Sequence, residues 1–210
     1  MEKYETAEKL DKDLSFDEAD TLWEEIEADE KEKLERRLEN LCTLQDETGR
    51  KLDKTSLKYH SKITGILEVK GKLLGDCKYY YRAWTYMLGA DYLYLSDMAE
   101  LAIDCYFRAL IFQGNFEAKD EGKLLFRTIQ GILACYRKTG DLKTMNFILP
   151  DFDAKTESIK TEYRLAYRLI RNICQGSEHE QELTDSCDRD LLKKIISGSF
   201  FAEDLGDLLQ

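Results

Sequence analysis

Lys72-Leu-Leu-Gly-Asp-Cys-Lys-Tyr-Tyr-Tyr-Arg-Ala-Trp84 is the stretch whose reading decides the fold. Its three successive tyrosines and Arg82 cover nearly all faces of one helical turn. The surrounding apolar and aromatic run predicts one long helix from about Leu67 to Leu88, stopping at Gly89. Gly71 and Gly75 weaken its first half by about 1 kcal/mol each relative to alanine. Two readings of the cluster stand side by side. Tyrosine hydroxyls beside a guanidinium suit phosphate binding, because the guanidinium fork supplies paired charge-assisted bonds and the phenol adds a donor. Alternatively the rings pack between helices, and Arg82 lies along apolar surface or pairs with an acid.

Outward from this stretch, the pattern stays helical. On the amino-terminal side, Ser15-Phe-Asp-Glu18 has the form of a capping box. The run carrying Leu22, Trp23, Ile26, Leu34, Leu38 and Leu41 follows and ends near Thr48-Gly49. Its middle, Glu24 to Arg37, is almost entirely charged, which suits an exposed helix or the tip of a hairpin. Residues 50–65 are polar and punctuated by Gly65. On the carboxyl-terminal side, Ser96-Asp97 is expected to cap a helix bearing Leu101, Ala102, Cys105, Tyr106, Ala109 and Leu110, closed by Gly114-Asn115. The next is expected from about Lys119 to Thr139, ending on Gly140. Further helices are expected over Asp141–Leu149, stopped by Pro150, then over Asp151–Gln175 and Thr184–Ser197. Strand patterns are absent. The fold expected is all-α, an antiparallel helical bundle or array with short loops.

Composition narrows the function classes. At 210 residues, with one proline and 12 glycines, the chain suits a single domain and not an all-β fold. No apolar run approaches the roughly 18 residues of a membrane span. The opening Met1-Glu-Lys-Tyr-Glu-Thr lacks the features of a secretory signal. A cytoplasmic protein without membrane association is expected. The six cysteines, at 42, 77, 105, 135, 174 and 187, form no Cys-x-x-Cys pair, and there are only two histidines. Free thiols in a reducing compartment are therefore expected, with no metal site and no cofactor.

Charge is segregated along the chain. Residues 1–50 carry 18 acidic against 8 basic side chains, a net of −10. Residues 178–210 carry 9 against 3, a net of −6, and the body between them carries 15 against 20. Acidic ends repel phosphate backbones, so no nucleic-acid partner is expected. Gly-rich phosphate loops, Gly-x-Ser-x-Gly and His-Glu-x-x-His motifs are missing. His60 and His179 lie in polar surroundings and are expected at the surface. No enzyme is expected.

Several collinear segments resemble the 14-3-3 family. Glu32-Lys-Leu-Glu-Arg-Arg-Leu-Glu-Asn-Leu-Cys42 is similar to its E-K-I-E-x-E-L-x-x-I-C pattern. Tyr80-Tyr81-Arg82 resembles the Y-Y-R of the fifth helix, and Cys105 to Leu110 resembles A-Y-x-x-A-F. Gln130 to Asp141 is similar to the N-F-S-V-F-Y-Y-E helix, and Leu165 to Asn172 to L-x-x-x-L-L-R-D. The resemblance implies an adaptor that holds phosphoserine or phosphothreonine peptides in a helical groove. Residue by residue it carries Arg82, Tyr81, Gln130, Leu165 and Leu169 into that groove, with Lys72 and Lys78 as alternative cations. Ala83 stands where the family has a tyrosine, while Asp13 and Asp20 fall at two family cations. Phosphate recognition is therefore expected to be weakened or lost. Protein or peptide ligands are the expected partners. The ordinary family dimer is not expected, because the amino-terminal helices are short and acidic. A weaker similarity, to tetratricopeptide helix pairs, rests on Gly89, Tyr92, Ala102, Tyr106, Ala109, Tyr136 and Gly140, and implies a scaffold for unmodified peptides.

One helical domain is expected over 1–198, with acidic helices in 1–50. A tail, 199–210, combines Phe200, Phe201, Leu205, Leu208 and Leu209 with three acids. Exposed in water those side chains are unfavourable, so the tail is expected either to lie in the groove as an internal ligand or to pack as a last helical turn.

Overall fold

A computed structural model describes residues 2–26, 31–49, 54–71, 78–113, 122–176 and 188–205. Among them are ten helices and no strand: α1 (Glu2–Lys12), α2 (Phe16–Glu25), α3 (Lys31–Gly49), α4 (Lys54–Gly71), α5 (Lys78–Leu95), α6 (Ala99–Gln113), α7 (Lys123–Thr139), α8 (Leu142–Thr156), α9 (Thr161–Gln175) and α10 (Arg189–Ser197). From α3 to α10 each helix packs on the next, and α5 also packs on both α3 and α7. This is an all-α array. No helix among the described residues is long and apolar enough to cross a membrane.

Side-chain pairs give the directions. Tyr86 and Tyr79, early in α5, stack on Phe112, late in α6, whereas Asp91 further along α5 meets Tyr106 earlier in α6. Those two helices are therefore antiparallel. Trp84 lies under Lys123 at the start of α7, and Tyr94 under Lys138 near its end, so α5 and α7 run parallel. One continuous core runs from Phe16 to Leu205, and a smaller cluster of Ala7, Ala19 and Trp23 holds α1 against α2.

The centre of the array is α7, where every residue from Phe126 to Tyr136 is buried. Gly140 (φ 76°) ends it in a left-handed cap, as its sequence predicts. Gly131 lies under the Tyr106 ring, and a Cβ there would fall on the ring atoms. That absent side chain lets α6 approach closely enough for the Tyr106 hydroxyl to reach Asp91 at 2.5 Å.

Several predicted boundaries are corrected. Gly89 does not stop a helix but lies within α5, while Gly65 lies within α4, which already begins at Lys54. Packing on neighbours outweighs a cost of about 1 kcal/mol per glycine. Ser15 caps α2 by position only, since its side chain makes no capping hydrogen bond. α8 continues through Pro150 to Thr156, its path held by buried Leu149 and Phe152 on either side. The expected long helix over 151–175 is instead broken before Thr161. Residues 72–77, which include Gly75, lie outside the described residues.

Candidate functional site

The chain's own carboxyl-terminal segment occupies a seat on α7. Gln130, 2% exposed, accepts the Phe200 backbone N–H on Oε1 at 3.0 Å. Seven residues on, the same face of α7 presents Arg137. Its Nη1 and Nη2 donate to the two Asp204 carboxylate oxygens at 2.7 and 2.8 Å, a two-pronged fork. The same guanidinium lies 5.6 Å from the Phe201 ring centroid. Phe200 packs on Tyr94 of α5 with ring centroids 4.4 Å apart, and Lys138 covers the Tyr94 ring at 4.9 Å. Phe201 and Leu205 are fully buried, so residues 201 and 205 belong to the core and not to a free tail.

Electrostatics fix the charge states of the seat. The Arg137 hydrogen bonds hold the Asp204 carboxyl below its usual range, and Asp204 in return holds the guanidinium above its own. Lys138 is raised in the same way by its hydrogen bond to Asp97. Cys174 of α9 lies within electrostatic reach of both Arg137 and Asp204, and burial pushes its thiol up to about 11, so it is neutral at physiological pH. Side chains of α5 and α7 thus contact the segment directly. The ion pair is partly exposed and is worth about 0–1 kcal/mol. Burying Phe201 and Leu205 contributes about 1.5–3 kcal/mol each. Apolar anchors hold the segment, and the fork and the amide set its register.

The other sequence-derived candidates do not join this seat as a group. Tyr81 is fully buried, and its hydroxyl donates to the Glu35 carbonyl at 2.9 Å, tying α5 to α3. That position corrects its expected place in a groove: the hydroxyl serves the core. Arg82 lies nine residues before Asp91, half a turn around α5 from the side chain that meets α7. Its guanidinium lies over Phe112 of α6, so Arg82 and Gln130 do not share a groove. Leu165 is buried in α9, and Leu169 packs partly buried on the same core. Lys78 begins α5, while Lys72 and the Lys78 side chain lie outside the described residues. Asp20 is not a bare groove acid, because Arg37 pairs with it at 2.8 Å. Sequence reasoning missed Arg137, Lys138 and Tyr94. The signal for two of them was present: a basic pair in the last turn of α7, seven residues beyond Gln130.

Two further polar clusters are enclosed. Arg127 donates to Asp91, which also accepts from Tyr106. Arg37, fully buried, forks onto Asp11 at 2.9 and 3.0 Å, and the Trp23 indole N–H joins at 3.0 Å. Both clusters join helices and offer no reacting atom to solvent. His60, expected at the surface, is 1% exposed, beside Tyr92 at 5.8 Å. Neither of its ring nitrogens has a hydrogen-bond partner among the described residues, and burial lowers its pKa to about 4. His179 lies outside the described residues. Among those described, no group of three or more His, Cys, Asp or Glu side chains is placed to hold a metal ion.

Compared with protein-family models, with curated proteins and with solved structures, the chain matches none.

Proposed function

We propose that the chain is a helical adaptor, similar in kind to the 14-3-3 proteins, that binds segments of partner proteins and catalyses nothing. The seat on α7 carries this reading. There a backbone N–H, an aromatic ring and a carboxylate of one short segment are each met by a dedicated side chain, Gln130, Tyr94 and Arg137. Those are the chemical features that any peptide of similar sequence presents. An adaptor of this kind works in the cytoplasm.

Phosphoserine and phosphothreonine recognition is weakened in this reading. Arg82 points away from α7, and the family's other cation positions hold Asp13 and Asp20. The second reading, a tetratricopeptide-like scaffold for unmodified peptides, is favoured by one observation: the Arg137 fork is satisfied by a single carboxylate. Titration with matched phosphorylated and unphosphorylated peptides tests the choice. The adaptor reading predicts phosphopeptide binding at least about tenfold weaker than a full basic cluster gives, a deficit of about 1.4 kcal/mol. Submicromolar affinity for a standard phosphoserine motif contradicts that weakening. Equal affinity for both peptides supports the unmodified-peptide scaffold.

A further inference from the structure

The tyrosine–arginine motif on α5 plays no part in the seat, yet it builds a second surface. Tyr86 and Phe112 stack with centroids 5.4 Å apart and planes 12° from parallel, and Tyr79 stacks on the same Phe112 ring at 6.1 Å. Arg82 lies over Phe112 and Arg108 over Tyr86, each at 5.8 Å. Guanidinium–ring stacking restrains both side chains while leaving N–H donors available for hydrogen bonding.

Both guanidiniums lack a carboxylate partner among the described residues. By contrast Arg36, Arg37, Arg127, Arg137, Arg164, Arg168 and Arg171 each have one. Among the described residues Arg189 also stands without an acid; what sets Arg82 and Arg108 apart is that they are neighbours held over stacked rings. The same outward stripe of α6 exposes Leu101, seven residues before Arg108, and Ile111, three residues after it, at 56% and 68%.

We infer that this outer face of α5 and α6 docks an acidic amphipathic peptide of a partner protein. Its carboxylates meet Arg82 and Arg108, and its aliphatic side chains cover Leu101 and Ile111. Carboxylates match the planar forks, and apolar residues match the flanks. The surface is separate from the seat on α7, so this inference stands or falls without the adaptor reading of that seat.

The test uses the full chain and a fluorescein-labelled helical peptide of leucine and glutamate, with a counterpart carrying lysine for glutamate. Arg82→Gln and Arg108→Gln are each expected to weaken binding of the acidic peptide about fivefold or more, and the double variant to abolish it. Arg36→Gln, an exposed arginine of α3 outside both surfaces, should leave it unchanged. Affinity should also fall several-fold as salt rises from about 50 to about 300 mM, because exposed charges are screened. Melting temperatures of the variants, and an Arg82→Lys/Arg108→Lys variant that keeps charge but loses the fork, separate docking from folding. Intermediate affinity of that lysine variant supports the account. A folded double glutamine variant that binds as tightly as the parent overturns it. So does equal binding of the lysine peptide, or binding only when the peptide carries phosphoserine.

Discussion

Arg127→Met is expected to lower the free energy of unfolding by about 3–5 kcal/mol, the usual cost of removing one partner from a buried ion pair. Arg127 and Asp91 are 6% and 4% exposed, so water cannot substitute for the lost guanidinium. Burial lowers the Arg127 pKa only to about 10, which leaves it charged at neutral pH. After the substitution Asp91 would keep its bond from Tyr106 but would have to carry its charge, or take up a proton, in the core. Adding Asp91→Leu should recover a large part of the loss, since replacing both charges with apolar groups removes the desolvation cost as well. Urea unfolding of the four chains of this cycle measures the coupling. A loss below about 1 kcal/mol in the single variant would contradict the enclosed pair.

The second large effect is pH-dependent and belongs to His60. Its folded pKa of about 4 lies below the ordinary 6.5, so the unfolded chain takes up the proton first as pH falls. The folded state therefore keeps its full stability above about pH 6.5 and loses it progressively toward pH 4. The total is about 3 kcal/mol at about 1.4 kcal/mol per pKa unit. Asp11 acts in the opposite sense, because burial raises its carboxyl and the folded state then binds a proton more readily in acid. Asp204, Asp97 and Asp141 have lowered carboxyls, so the stability they supply is lost only at lower pH, below the ordinary carboxylate range. His60→Leu isolates the histidine. The stability difference between pH 7 and pH 4.5 should shrink in the variant by roughly 2–3 kcal/mol. An unchanged difference would show that His60 meets water or a partner in solution.

Helix content was legible because apolar spacing and glycine caps are local signals. Gly140 and Gly176 end α7 and α9 in left-handed conformations, just where the sequence places stops. Gly89 and Pro150 misled because their intrinsic costs, about 1 and about 3 kcal/mol, are offset by the burial of Leu88 and of Leu149 with Phe152. His60 and Arg37 misled for a different reason. Their sequence neighbours are polar, but the residues that enclose them, Tyr92, Asp11 and Trp23, come from other helices. At the seat, Gln130 and the apolar–acidic tail were readable separately. Docking of the tail in the groove was one of two expectations, but the particular bond from the Phe200 N–H to Gln130 was not legible, because the two residues stand 70 positions apart and only the fold joins them. Arg82 shows the converse: the Tyr-Tyr-Arg motif is local, but the face it occupies depends on which neighbours α5 acquires.

The adaptor account is tested most directly by asking whether the seat accepts the tail sequence from outside. A labelled peptide of residues 197–210 would be titrated by fluorescence anisotropy against the full chain and against full-chain Asp204→Lys. The lysine opposes Arg137 and loosens the resident segment, and its exposed position leaves the core intact. The account predicts at least about tenfold tighter binding to Asp204→Lys than to the parent, because a tethered competitor has been weakened. It also predicts loss of that binding when Arg137→Asp is added. Equal affinity of the peptide for parent and Asp204→Lys, or binding that survives Arg137→Asp, would contradict it and leave the segment as packing alone.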